Sequence, residues 1–181
     1  MPAAPPSGPA PTTTVRLADR RDAEGIRAIN NLEVTGSLVT FDLVPRTLDD
    51  QVRWLDEHAG GHPAIVVERD GVIVAFGSLS PLRPRPAYST SVESSVYVHA
   101  DHRRTGAGRI VVDELLRLAG THGFHAVFAR IVGDHTASIA LHESCGFAIV
   151  GREHEVGRKF GHWLDIVVME HLVGRGPAPT A

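Results

Sequence analysis

The stretch from Ser91 to Gly120 constrains this chain more than any other. Ser91 to Val98 is rich in serine and valine and reads as a strand. Next comes Arg103-Arg104-Thr105-Gly106-Ala107-Gly108, and then Val111, Leu115, Leu118 and Ala119 fall on one helical face before Gly120 and Gly123. The order is strand, glycine loop, helix. A loop of small residues that feeds a helix offers unpaired backbone N–H groups and the positive end of the helix dipole, a seat for a diphosphate. The two arginines add charge there. Taken alone, Gly106-x-Gly108 fits a tight strand-to-helix turn equally well. It lacks both GxGxxG and a GK[ST] ending, which argues against a Rossmann nucleotide site or an NTPase.

The remainder alternates in the same way. Thr13 to Leu17 reads as a strand, and Asp19 with Asp22 reads as an N-cap pair opening a helix through Ala23, Ile26 and Ile29. Leu48 to His58 carries Val52 and Leu55 at helical spacing. Ala64 to Glu68 and Val72 to Ser80 flank Asp70-Gly71, a hairpin signal. Pro81 to Pro86 holds three prolines and two arginines, which predicts an irregular basic loop. Ala126 to Ile131 is a further strand. Ala137 to Cys145 is a short helix stopped by Gly146, and Phe147 to His154 with Trp163 to Leu172 reads as a closing antiparallel pair. The fold class is α/β, a mixed and mostly antiparallel central sheet flanked by helices. Its span is residues 13–173, between a disordered N-terminal tail at 1–12, rich in proline and alanine, and a short C-terminal tail at 174–181.

Composition removes several functions. The 181 residues suit one domain. No apolar run approaches the roughly 20 residues of a membrane span, and the N-terminus lacks the pattern of a secretory signal, so no membrane partner is expected. A single cysteine, Cys145, excludes an internal disulfide and fits a reducing cytoplasm. With 18 basic and 21 acidic side chains and no basic stripe, nucleic acid is not expected as a partner. The 11 histidines are scattered, with neither HxH nor HExxH, so no metal site is expected.

The run Arg103 to Gly108 resembles the pyrophosphate loop of the GNAT superfamily, written R/Q-x-x-G-x-G/A. Val92-Glu93-Ser94-Ser95-Val96-Tyr97-Val98, the run from Ser138 to Phe147, and the run from Gly157 to Asp165 are similar to the phosphinothricin and methionine sulfoximine acetyltransferases of that superfamily. The likeness covers about Thr14 to Val173. It implies a GNAT fold, acetyl-CoA as co-substrate, a small amino-acid-like acceptor and a homodimer. Acetyl-CoA would lie along Val96, Tyr97 and Val98 and the loop of Arg103, Arg104, Thr105, Gly106, Ala107, Gly108 and Arg109.

Acetyl transfer to an amine requires removal of the proton that an ammonium carries. The resemblance implies Glu93 for that role, directly or through water; a strand glutamate paired with an arginine is the other reading. It also implies the backbone N–H of Val98 as donor to the oxyanion, and an acid/base role for His142, which could otherwise be a packed helical histidine. The tyrosine that many relatives use to protonate the leaving thiolate is not evident, which leaves His142 or water. Cys145 could carry a covalent acetyl group or simply be buried; direct transfer in a ternary complex is expected. Where the similar enzymes have an asparagine that contacts the pantetheine arm, this sequence has His135. Arg83, Arg85 and Tyr88 stand where the family holds the acidic end of its acceptor, a role that suits guanidinium. Phe41 matches an aromatic of the acceptor pocket, or is core. The competing readings are an acetyltransferase for another small amine or for a protein N-terminus, and a non-catalytic acyl-CoA sensor.

Overall fold

The computed structural model describes residues 12–174. Residues 1–11 of the expected N-terminal tail, and 175–181 of the C-terminal one, lie outside the described residues. Thr12 does not belong to a tail. Its N–H donates to Asp70 Oδ1 at 3.1 Å and its carbonyl accepts from Asp70 N–H at 3.0 Å, which ties the start of the chain to a hairpin turn.

Seven strands form one sheet: β1 Thr13–Leu17, β2 Ala64–Arg69, β3 Val72–Pro81, β4 Ser91–Val98, β5 Ala126–Val132, β6 Ala148–Lys159 and β7 His162–Leu172. Their order across the sheet is β1-β2-β3-β4-β5-β7-β6. Every neighbouring pair is antiparallel except β4 with β5. Helices α1 Ala23–Gly36 and α2 Leu48–Glu57 cover one face, where Ile26, Ile29 and Leu55 pack on Val66 and Phe76. On the other face α3 Ala107–Thr121 buries Val111, Leu115 and Ala119 against Ile65, Leu79, Val92 and Val127. The short α4 Thr136–Ser144 adds Ile139 and Leu141 to that core. Among the described residues no helix is long and apolar enough to cross a membrane.

Local signals account for most boundaries. Asp70 and Gly71 both have positive φ, 49° and 79°, as a two-residue hairpin turn demands. Asp19 and Asp22 do cap, but the pair opens a single helical turn, Arg20–Asp22, that runs on into α1. Gly146, at φ 85°, ends α4, with Phe147 N–H donating back to the His142 carbonyl at 3.0 Å. Two expectations need correction. Pro86 opens a single helical turn, Pro86–Tyr88, inside the basic loop, because proline suits a first helical position. The strand expected to stop at His154 continues to Lys159 through a bulge at Glu155, φ 50°, whose N–H is satisfied by Asp165 Oδ1 at 2.9 Å.

Asp22 sets a pH dependence for the whole domain. Burial pushes its carboxyl up, but two Arg16 hydrogen bonds of 2.7 Å and the Asp19 amide outweigh that, and the net shift is downward. A carboxylate with a depressed folded pKa stabilises above its unfolded value of about 3.9 and loses that contribution as pH falls through the folded value. We expect the melting temperature to fall on acidification below about pH 4, and less steeply in Asp22→Asn. Equal slopes in thermal melts of the two proteins would contradict this.

Candidate active site

The one parallel pair in the sheet opens a cleft. β4 pairs with β3 from Val92 opposite Pro81 to Val98 opposite Ala75, but pairs with β5 only as far as Ser94 opposite Ala129. Beyond Ser94 the two strands diverge. His99 N–H donates to the Val74 carbonyl on β3 at 2.9 Å, and successive amides alternate in direction, so Val98 and Val96 turn their N–H groups away from β3 into the gap. A cleft of about 770 Å³ fills that gap. Ser94 to Val98, Ala129 to Val132, Arg103, Arg104, Gly106, Gly108, Arg109, His135, Ser138, Leu141 and His142 line it on the β4/β5 and helical sides. Glu33, Thr40, Phe41, Asp42 and Arg46, from α1 and the loop before α2, line the opposite side.

One end of the cleft is the start of α3, whose unpaired backbone N–H groups suit an anion. Gly106, at φ 87°, is its N-cap, and Gly108 lets the first turn sit close to β4 and α4: a Cβ there would lie 3.0 Å from Leu141 Cδ2 and 3.5 Å from Val98 Cγ2. Arg104 is exposed and forms no ion pair among the described residues. Arg103 is held by Glu33, whose side chain is 8% exposed. Thr105 and Ala107 do not line the cleft. The Thr105 hydroxyl turns to the His102 carbonyl, its own carbonyl accepts from Arg69 at 2.7 Å, and the Ala107 side chain is core; these two offer backbone only. Arg109 donates to Ser144 Oγ at 3.3 Å and faces Asp113 at 3.4 Å. His135 is half-buried just ahead of α4, and burial pushes its pKa down, so its neutral ring both donates and accepts.

Glu93 lies at the other end. Its carboxyl is half-buried and makes no hydrogen bond among the described residues. Burial pushes its pKa up; Arg130 and Arg83 pull it back, and Glu153 adds to the rise. Arg130 follows on β5 and is clamped by Glu153 on β6, one bond being 2.7 Å. His142 is 3% exposed, donates from Nδ1 to the Ser138 carbonyl at 2.8 Å, and meets Phe147 edge-on. That tautomer leaves Nε2 as an acceptor, and burial lowers the pKa further, so the ring is a poor proton donor at neutral pH. Cys145 is half-buried with its thiol pKa pushed up by burial, unsuited to carrying an acetyl group.

The acceptor side departs from expectation in part. Phe41 does line the cleft, and Gly157 on β6 leaves the room for its ring. Arg83 is exposed, close enough to act on Glu93 and Glu153. Arg85 and Tyr88 are also exposed, and none of the three, Arg83 included, is among the cleft residues, because the proline-rich segment stands off the sheet on the exposed turn Pro86–Tyr88. Residues that sequence reasoning missed include Glu33, Arg130 and Lys159. Lys159 is 2% exposed, and its ammonium donates to the Glu33 and Thr40 carbonyls at 3.3 and 3.0 Å. It fastens the loop that carries Phe41. Tyr97 stacks on Phe76 at 4.9 Å beneath this loop, with Thr40 near its hydroxyl.

A splayed parallel pair beside a glycine-capped helix fits a phosphate-bearing thioester with an extended amide arm, and the comparisons agree. The model of the acetyltransferase (GNAT) domain matches residues 15–168. The chain belongs to the GNAT acetyltransferase family. This GNAT chain is 33% identical over 169 residues to an L-methionine sulfoximine/L-methionine sulfone acetyltransferase of Salmonella typhimurium, covering 93% of this chain and 99% of the other. Among solved structures, a ribosomal-protein-alanine N-acetyltransferase from Brucella melitensis is 36% identical with a TM-score of 0.86, covering 88% of this chain and 99% of that one. A GNAT phosphinothricin acetyltransferase from Sinorhizobium meliloti, solved with acetyl-CoA, is 30% identical with a TM-score of 0.85, covering 93% and 94%.

Proposed function

We propose that this GNAT protein transfers the acetyl group of acetyl-CoA to the α-amino group of a small amino acid or analogue, of the methionine sulfoximine or phosphinothricin type, by direct attack in a ternary complex. The observation that carries the reading is a half-buried Glu93 carboxyl, without a hydrogen bond among the described residues, at one end of a cleft whose other end is a glycine-capped helix flanked by Arg103 and Arg104.

Acetyl-CoA supplies the activated acyl carbon. The backbone N–H groups of Val96 and Val98, free of β5, are positioned to bind its amide arm and to polarise the thioester carbonyl. The loop from Arg103 to Arg109 receives the pyrophosphate, and His135 takes the place of the family's asparagine. Glu93 removes a proton from the acceptor ammonium; the amine nitrogen then bonds to the carbonyl carbon, and as the C–S bond breaks the nitrogen gives up its second proton to water. The thiolate gains its proton from water, since His142 holds its Nδ1 proton on Ser138. On the acceptor side, Phe41 packs on the side chain and Arg83 meets the acidic head. The exposed apolar groups of β6, β7 and their turn, Ile149, Val150, Val156, Phe160 and Trp163, support a homodimer.

The Brucella likeness favours one other acceptor, a peptide with an N-terminal alanine. Thiol release from acetyl-CoA separates the two. We expect methionine sulfoximine or phosphinothricin to turn over and an alanine-starting peptide and spermidine not to. Arg83→Ala should raise KM for the anionic acceptor about tenfold, the loss of one charge-assisted hydrogen bond, with KM for acetyl-CoA unchanged. Preference for the peptide would overturn the proposed acceptor class.

A further inference from the structure

An α-amino acid carries its ammonium and its carboxylate on the same carbon, so a site that selects it needs a base and an anion receptor side by side. The point where β4 and β5 part supplies both. Their last paired residues are Ser94 and Ala129. Val92 on β4, and Ala129 and Ile131 on β5, are buried in the core beneath α3. Side chains alternate between the two faces of a strand, so Glu93 and Arg130 both project from the opposite face, one residue before the parting and one residue after it. Both line the cleft, and of the charged groups that act on the Glu93 carboxyl Arg130 acts most strongly.

The half-buried Arg130 guanidinium is held from behind. Glu153 on β6 reaches across β7 and takes one N–H from each terminal nitrogen, the bond from Nη1 being 2.7 Å long. Glu153 itself is not among the cleft residues. Among the described residues the group makes no other hydrogen bond, so Nε–H and one further hydrogen on each terminal nitrogen stay free. Nε and the terminal nitrogen beside it form a second fork, of the shape that takes a carboxylate by two parallel bonds. The charges of Glu93, Glu153, Arg130 and Arg83 cancel, which suits a zwitterion better than a polyamine.

We propose that Arg130 receives the α-carboxylate of the acceptor while Glu93 faces its ammonium, which makes Arg130 the residue that selects free α-amino acids. The assignment rests on the acceptor reading given above. A peptide N-terminus has a neutral amide where the carboxylate would lie, and spermidine has no counterpart there; either leaves a half-buried fork unmatched. Arg83, exposed and outside the cleft, is left to the far end of the acceptor's side chain.

The test compares methionine sulfoximine with its α-carboxamide in wild type, Arg130→Gln, Arg130→Lys and Arg83→Ala, and reads the ratio of kcat/KM for acid over amide. That ratio cancels whatever both acceptors share, including a change in the proton affinity of Glu93 or in the fold. We expect wild type to favour the acid about thirtyfold, the size of a charge-assisted bidentate contact, and Arg130→Gln to lose that preference, chiefly through KM. Arg130→Lys keeps a charge to pair with Glu153 but has no fork, and should fall between the two. Arg83→Ala should keep the wild-type preference. If both Arg130 variants favour the acid as wild type does, Arg130 serves only to tie β5 to β6, and the assignment is wrong while the acceptor reading stands. Loss of the preference in Arg83→Ala but not in Arg130→Gln gives the carboxylate to Arg83 and likewise overturns it. Equal use of acid and amide by wild type overturns carboxylate selection, and acetylation of neither overturns the acceptor reading together with the assignment.

Discussion

Replacing Glu93 by glutamine should lower kcat by about a hundredfold, the lower end of what a positioned general base contributes, while acetyl-CoA binds as before. Glutamine keeps the shape and some polarity of a half-buried side chain that makes no hydrogen bond among the described residues, so the change tests proton transfer rather than folding. The carboxylate must be ionised to act, and burial raises its pKa, so the acid limb of kcat/KM in the wild type should lie above the ordinary glutamate range near 4.3. Arg130 opposes that rise, and Glu153, once freed of its partner, would add to it. Arg130→Gln should therefore move the acid limb to still higher pH. A limb unmoved in Arg130→Gln, measured over a pH series at low substrate, would contradict this picture of Glu93.

The largest effect on stability is expected at Gly77. It lies in β3 where α3 crosses the sheet, and a Cβ there would lie 2.8 Å from the Ser95 carbonyl oxygen and 3.0 Å from Leu115 Cδ1, and would strike Val111 as well. The first neighbour is backbone in the adjacent strand and cannot rotate away; the others are fully buried core. Gly77→Ala should cost about 3 kcal/mol, the upper part of the range for overpacked cores. In a domain of this size that lowers the melting temperature by about 6 to 12 °C. Calorimetry decides it: a shift within a degree or two would mean that helix and sheet are not in the close contact described. Activity offers a second check, because Ser95 lies on the strand that carries Glu93.

Short-range patterns were readable from the sequence because their causes are local. Asp70-Gly71 reads as a turn since both residues must adopt positive φ, and Gly106 ahead of an apolar helical face reads as a phosphate-type loop. What the residues alone left ambiguous was joined by contacts distant in sequence. Glu33 is 70 residues from Arg103, yet it holds that arginine beside the anion end of the cleft. Lys159 is charged and adjoins a turn, which suggests solvent; the loop before α2 folds over it instead, so its ammonium is spent on two carbonyls. Gly157 lay beyond the strand expected to end at His154, whereas it belongs to β6 and makes room for Phe41. Arg85 and Tyr88 carry side chains suited to an acidic acceptor, but composition does not say which way a proline-rich loop leaves the sheet.

The most direct test of the account is to follow the acetyl group itself. Incubation with acetyl-CoA carrying a ¹³C-labelled acetyl group and methionine sulfoximine, analysed by mass spectrometry, should yield N-acetylated acceptor and free thiol in equal amounts, with no label on Cys145. Tight binding of acetyl-CoA without transfer to any small amine would contradict it and leave a sensor of acyl-CoA, and label on Cys145 would contradict direct attack.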